Sequence, residues 1–239
     1  NGHYLLVTSP SLLANHIMGR TSIHFSETTP LAQLGTEPVL FTVRADSPIK
    51  TGRDLAERLK SNPDSLSFSI GTTIGSHNHI AVAQLAKAVG GNPKSLKVVA
   101  FSGSADGITA LLGGHITVAA APASGVWEHV VAGKLRTIAA AAEGRLGGPL
   151  SNVPTWKELG LPVLSSNWRS VVGPKGLPDE QTRYWDAVFA RLSKLPEWKQ
   201  SVDSEHMENT YSDSRGTREL MEAQYKALSA TLAELGLVK

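Results

Sequence analysis

Apolar residues run along this chain in short bursts, each closed by a polar or glycine-rich turn. Tyr4–Thr8 (YLLVT) reads as a buried strand ended by Ser9-Pro10-Ser11, a polar tripeptide placed where open α/β sheets hold ligands. Residues 22–30 read as loop, and a second apolar strand falls at Val39–Val43. After the break at Asp46-Ser47-Pro48, Thr51–Lys60 has helical spacing with Thr51 placed as its cap. Within Leu66–Ile80 (LSFSIGTTIGSHNHI), alternation at Leu66, Phe68 and Ile70 predicts a strand and Gly71–Ser76 a turn. Ala81, Val82, Leu85 and Ala86 then continue a helix that stops at Gly90-Gly91-Asn92-Pro93. Strands follow at Lys97–Phe101, Ile116–Ala121 and Leu135–Ala141, with helices at Gly107–Leu112 and Val126–Ala132 between them. Such alternation predicts a mostly parallel α/β sheet.

From Gly144 to Pro154 the composition shifts to Gly, Pro, Ser and Asn. Thr155–Leu159 reads as a helical turn and Val163–Val172 as a strand containing Trp168. Gly173-Pro174-Lys175-Gly176-Leu177-Pro178 is the strongest break, and helical spacing follows it at Asp179–Lys194, Pro196–Glu205 and Ser214–Leu235. There is no internal repeat. The pattern is an α/β middle with a helical tail that packs back on the first domain.

Composition narrows the function classes. A chain of 239 residues, 41% hydrophobic and 18% charged, can bury a sizeable core. Its net charge of +2 suits an acidic ligand and is too small to argue for nucleic acid. With no cysteine, disulfide and thiolate chemistry are excluded. No apolar run approaches the roughly 20 residues of a membrane span. The chain passes from Asn1-Gly2-His3 into an apolar strand without a signal-peptide pattern, so targeting is expected to have been removed or the start of the protein to lie elsewhere.

The chemistry concentrates in the Gly71–Ser76 turn. A strand, a glycine-containing loop and a helix N-terminus offer backbone N–H donors and the positive end of a helix dipole to a carboxylate or phosphate. The plainer alternative is a strand-to-helix turn capped by Ser76. Ser76, His77 and His79 do not form a hydrolase signature, since no G-x-S-x-G elbow is present. An H-x-H pair supplies too few ligands for a metal. His79 is read as a helix-start residue whose ring braces the loop. No lysine follows the turn, which excludes a nucleotide-binding P-loop. Asp106 is expected to cap its helix. Arg44, Arg136, Arg145 and Arg169 are candidate carboxylate forks. Among the tryptophans, Trp168 has the best claim to a pocket or hinge, the others to packing.

Taken in order, these landmarks resemble the solute-binding receptors of the tripartite tricarboxylate transporter family, the Bug or TctC type of periplasmic binding protein. Asn1-Gly2-His3-Tyr4-Leu5-Leu6 resembles its D-G-Y-T-L-L, and Gly75-Ser76-His77-Asn78-His79-Ile80 its G-S/T-x-x-H-L. Phe101-Ser102-Gly103-Ser104 with Ala110-Leu111-Leu112-Gly113-Gly114-His115-Ile116 resembles Y-K-G-S and D-L-L-G-G-Q-V. Val43–Pro48, Ala132–Arg136, Arg145, Val153-Pro154-Thr155 with Glu158-Leu159-Gly160, and Gly173–Pro178 complete the series.

The resemblance implies a periplasmic-binding-protein type II-like α/β fold of two domains with crossing strands and a C-terminal helical tail. Domain one would comprise residues 1–44 and 169–239, and domain two residues 45–168. It implies a receptor rather than an enzyme, with no cofactor and no metal. The protein would capture a small di- or tricarboxylate between its domains in the periplasm and deliver it to membrane permease subunits. A monomer is expected, with pairing through an exposed sheet edge as the alternative. The ligand would be clamped largely by backbone amides, and this reading depends on unpaired amides near Gly75. The expected ligand-binding residues are Ser9, Ser11, Thr73, Gly75, Ser76, His79, Ser124 and Trp168.

Two departures stand out. Members of the family carry a further segment ahead of D-G-Y, with a P-x-G-G-x-x-D clamp that this sequence lacks, so domain one is expected to be incomplete at its N-terminus. Many also have an aspartate where this chain has Thr117 and then Ala119-Ala120-Ala121, so that wall should be small and uncharged. The alternatives are the ligand-sensing effector domain of a transcription regulator, which has the same type of fold, and a hydrolase using Ser76.

Overall fold

Strand pairing sorts the chain into two sheets, one in each of two units. The computed structural model describes residues 2–238, so Asn1 of the opening match lies outside the described residues. In chain order the strands are β1 (Leu6–Thr8), β2 (Thr28–Pro38), β3 (Leu40–Arg44), β4 (Ser67–Ile70), β5 (Lys97–Ala100), β6 (Val118–Ala121), β7 (Leu135–Ala140) and β8 (Ser166–Pro174). The helices are α1 (Pro10–Ile17), α2 (Gly52–Ser61), α3 (His77–Ala88), α4 (Ser104–Leu112), α5 (Ala123–Val131), α6 (Asp179–Leu192), α7 (Pro196–Ser204) and α8 (Ser214–Glu234). None is long and apolar enough to cross a membrane.

The first unit joins the segment ending at Glu37 to Asn167–Ala233 and the residues from Leu237 on. Its sheet has the order β1-β8-β2. β1 pairs antiparallel with β8, from Leu6 opposite Val172 to Thr8 opposite Ser170. The sequence reads this strand as buried; the structure leaves Leu6 58% and Val7 68% exposed. An apolar run marks a strand, but only neighbours on both sides bury it, and among the described residues β1 pairs on one side alone, with β8. Residues 28–30, expected as loop, begin the long β2 instead. Pro30, Gly35 and Pro38 hide it from pattern reading, whereas bridges from Gln33 to Ser212 and Thr36 to Glu208 hold it in place. Leu31, Ala32 and Leu34 of β2, Val171 of β8 and Phe189 of α6 form one core cluster of this unit.

The second unit contains Pro38–Ser166 with Glu234–Gly236. Its sheet runs β5-β4-β6-β3-β7. β4 is parallel to both β5 and β6. β3 is antiparallel to β6 and to β7, so β4 to β7 share one direction and β3 alone opposes them. The sheet is mostly parallel, as expected, with β3 its antiparallel strand. β3's partners are not its chain neighbours, so no crossover helix dictates its direction. Pleating sends Phe41, Val43, Phe68 and Ile70 to one face, under Leu55 and Leu59 of α2 and Ala81, Val82 and Leu85 of α3. Leu40, Ala119, Ala121 and Ala140 face α4 and α5 on the other.

Local sequence explains the element ends. Thr51 and Asp54 form a reciprocal capping box at the start of α2, with Asp54 N–H donating to Thr51 Oγ1 at 3.1 Å and Thr51 N–H to Asp54 Oδ2 at 2.9 Å. Thr155 and Glu158 repeat this exchange at the predicted turn. Trp156, fully buried, meets Phe41 edge to face with ring centroids 5.1 Å apart. Thr51→Ala should lower the stability of the second unit by about 1 kcal/mol, and Trp156→Ala by about 3–5 kcal/mol. Urea titrations of the two variants check the order, and equal losses would contradict it.

Candidate functional site

Three helices of the second unit begin at the same edge of its sheet. β4, β5 and β6 run parallel side by side, and α3, α4 and α5 start where they end. Because α3 lies on one face and α4 and α5 on the other, this edge is a switch point of the kind where α/β sheets open a crevice. A Cβ on Gly71 would lie 2.5 Å from the Ser104 backbone nitrogen, and one on Gly125 would lie 3.0 Å from Ser104 Cβ. The turn after β4 and the first turns of α4 and α5 thus press against one another, and only glycine permits the first approach.

None of these helix starts has a side-chain cap: Ser76, Gly103 and Pro122, the residues that precede α3, α4 and α5, make no capping hydrogen bond. In α3 the first amide to reach a helical acceptor is that of Ile80, on the Ser76 carbonyl at 2.9 Å. The N–H groups of Asn78 and His79 precede it and have no acceptor inside the helix. Yet this first turn is buried, with Asn78 1% and His79 6% exposed. Asn78 Oδ1 is also buried and without a hydrogen-bond partner. Buried donors and acceptors of this kind call for an occupant.

The expected donor, however, is not the one available. Gly75 N–H is already engaged, donating to His79 Nδ1 at 3.0 Å, and Ser76 N–H donates to the Thr73 carbonyl at 3.1 Å. Gly75 serves instead through its left-handed backbone, φ 89°. His79 braces the loop as read from sequence. Burial pushes its pKa below the ordinary 6.5, and an Nδ1 that accepts an N–H leaves the proton on Nε2. Ser76 is the N-cap residue by position only, because its hydroxyl accepts from Thr72 Oγ1 at 2.6 Å.

The other expected site residues divide. Thr73 and Ser124 are exposed, Thr73 in the α3 turn and Ser124 in the first turn of α5. Ser9 caps α1 in the first unit, its Oγ accepting Ser11 N–H at 3.4 Å, and Ser11 is exposed. Trp168 is 1% exposed with its indole N–H on Gln224 Oε1 at 3.2 Å, so it is a packing residue of the first unit. Asp106 lies inside α4 rather than at its cap and accepts from Ser102 Oγ at 2.6 Å. The four arginines are engaged elsewhere: Arg44 on Asp46, Arg145 on Glu158 at 2.9 Å, Arg169 at 3.8 Å from Glu37, and Arg136 on the Ala45 carbonyl at 2.6 Å. Thr117 bonds Ser67 across the β4–β6 ladder. Sequence reading missed Asn78 and Gly71; the spacing from the end of the strand marks the turn, but no local signal shows which of its residues approach Ser104.

Residues 4–237 match the model of the tripartite tricarboxylate transporter family receptor, TctC. A curated relative, the UPF0065 protein in the gbd 5' region of Cupriavidus necator, is 30% identical over 199 residues, covering 82% of this chain and 58% of that protein. BugT of Bordetella pertussis is 26% identical over 181 residues, covering 74% and 54%. The chain thus spans little more than half the length of these relatives. A ligand-free TctC solute-binding protein from Polaromonas superposes with a TM-score of 0.84 at 26% identity, over 98% of this chain and 79% of that one. An R. palustris protein solved with adipate gives 0.81 at 20% identity, over 98% and 78%, and MatC of Rhodopseudomonas palustris with bound malate 0.75 at 20%, over 97% and 79%. This family and these neighbours are solute-binding proteins rather than enzymes, and their fold is the expected α/β periplasmic-binding-protein type. The chain belongs to the tripartite tricarboxylate transporter receptor family.

Proposed function

We propose that this protein is the periplasmic receptor of a tripartite tricarboxylate transporter, capturing a small di- or tricarboxylate and delivering it to membrane permease subunits. The observation that carries the reading is the group of three helix N-termini without side-chain caps at one sheet edge of the second unit. Their first N–H groups and dipoles favour an anion there. The buried Asn78 and His79 amides are the strongest donors in this reading, in place of Gly75. The wall that follows β6 is uncharged, Pro122 and Ala123 leading to Ser124. A carboxylate therefore meets no acidic side chain from that segment. Ser9 and Ser11, on a strand-to-helix turn of similar type, are the first-unit residues assigned to ligand. The adipate and malate bound by two neighbours of the same fold set the size of the molecules to try.

A thermal-shift screen of malate, adipate, succinate and citrate tests the proposal. At least one should raise the unfolding midpoint, because a ligand held at a hundred times its Kd stabilises the native state by about 2.7 kcal/mol. Ser124→Asp puts a carboxylate in the first turn of α5, where it suits the helix dipole, so the midpoint without ligand should hold while the ligand shift disappears. An unchanged shift in that variant would remove the second-unit turns from the site. His79→Ala leaves the Gly75 N–H without its acceptor and should cost about 1–3 kcal/mol as well as weakening the shift. Loss of stability with a full ligand shift would reduce His79 to a structural role.

A further inference from the structure

A second cluster of titratable side chains lies in the first unit, apart from the ligand turns. His16 is in the last turn of α1, His24 precedes the 3-10 turn at Phe25–Glu27, and Tyr225 is on α8. The two imidazoles meet edge to face with centroids 4.8 Å apart. Tyr225 lies 4.8 Å from the His24 ring and 5.8 Å from that of His16, and its hydroxyl is 2.8 Å from His16 Nδ1. Phe25 packs against both His24 and Tyr225. Three separate pieces of chain are joined through these rings.

His24 also performs a backbone task. Its Nδ1 accepts Ser26 N–H at 3.2 Å, capping the 3-10 turn, and lies 2.7 Å from Ser26 Oγ. A nitrogen that accepts a backbone N–H carries no proton, which fixes His24 as the neutral Nε2–H form. A proton on Nδ1 would set donor against donor and place a charge beside His16. The groups around it oppose that proton. Burial and then His16 lower the His24 pKa from its ordinary 6.5, while Glu27 on the same turn pulls the other way with less effect. From α8, Tyr225 brings a hydroxyl rather than a charge.

We propose that His16, His24 and Tyr225 form an acid-released latch that fastens the segment from the end of α1 to the start of β2 onto α8. The direction follows from proton uptake. A histidine whose folded pKa is depressed contributes fully above its unfolded value, and that contribution is lost as the pH falls below 6.5, because the unfolded chain takes the proton first. α1 begins at the Ser9 turn, so acid would loosen the helix that carries the first-unit ligand residues. That consequence rests on the function proposed above; the latch does not.

The test is made on the whole chain without ligand, by NMR titration of the His24 ring and amide hydrogen exchange near pH 7.5 and about pH 5, corrected for intrinsic exchange chemistry. The ring should titrate below 6.5, and amides of residues 16–27 should open more readily in acid, by about tenfold for each unit of depression. His24→Asn, whose side chain caps without titrating, should keep this segment protected at neutral pH and abolish its acid response. His16→Gln should raise the His24 midpoint by removing the neighbouring charge, and this arm stays readable if the asparagine variant does not fold. A midpoint at or above 6.5, an acid response that survives His24→Asn, or equal opening in α2 would overturn the latch.

Discussion

Close approach of backbone to backbone at the Gly71–Ser104 contact is the constraint on which the second unit's site depends. A Cβ at residue 71 would sit 2.5 Å from the Ser104 backbone, so the turn after β4 can lie on the start of α4 only with glycine there. That contact brings the beginnings of α3, α4 and α5 to one edge, because the parallel register of β4, β5 and β6 already ends their strands together. Were the turn pushed away, each helix would still form, but the turn before α3 would no longer lie against the start of α4.

Burial of the first turn of α3 carries an energetic cost. Buried N–H groups normally find partners, and a short polar side chain at the N-cap is the common solution. α1 and α2 use it, through Ser9 and Thr51. α3, α4 and α5 do not. Side chains with the right chemistry are present but committed elsewhere, Ser76 to Thr72 and Asp106 to Ser102. The same holds for His79, whose Nδ1 is spent on Gly75 so that the turn keeps its shape without a ligand. The donors at Asn78 and His79 belong to the backbone of the helix itself, and their direction is set by helix geometry rather than by side-chain rotamers.

Much of this was legible in the sequence because the signals are short-range. The Thr51–Asp54 box, the Gly90-Gly91-Asn92-Pro93 stop and the apolar alternation of β4 each express a preference that neighbouring residues already satisfy. The motifs beyond the opening one pointed to the family because each is a short run of neighbouring residues and they follow one another in order along the chain. The site was less legible. Gly75 looked like a donor because it is a glycine beside a helix start, and nothing in the linear order shows that an imidazole one turn later takes its N–H. Trp168 had the best claim to a pocket or hinge and the four arginines were candidate carboxylate forks, because pairing with Gln224, Asp46, Glu158, Glu37 or a carbonyl is a matter of contacts distant in the chain or of side-chain direction.

What the sequence by itself determined is the order of elements from β3 onward, the strand-turn-helix character of Leu66–Ile80 and the cysteine-free chemistry available to it, all of which follow from periodicity and residue type; α1 and the start of β2 were not among them. Tertiary structure decided which strands pair, that β3 runs against its neighbours, and which helix starts go without a side-chain cap. Those outcomes depend on who lies beside whom, and hydrogen-bond satisfaction and burial are properties of a neighbourhood that no stretch of chain specifies alone.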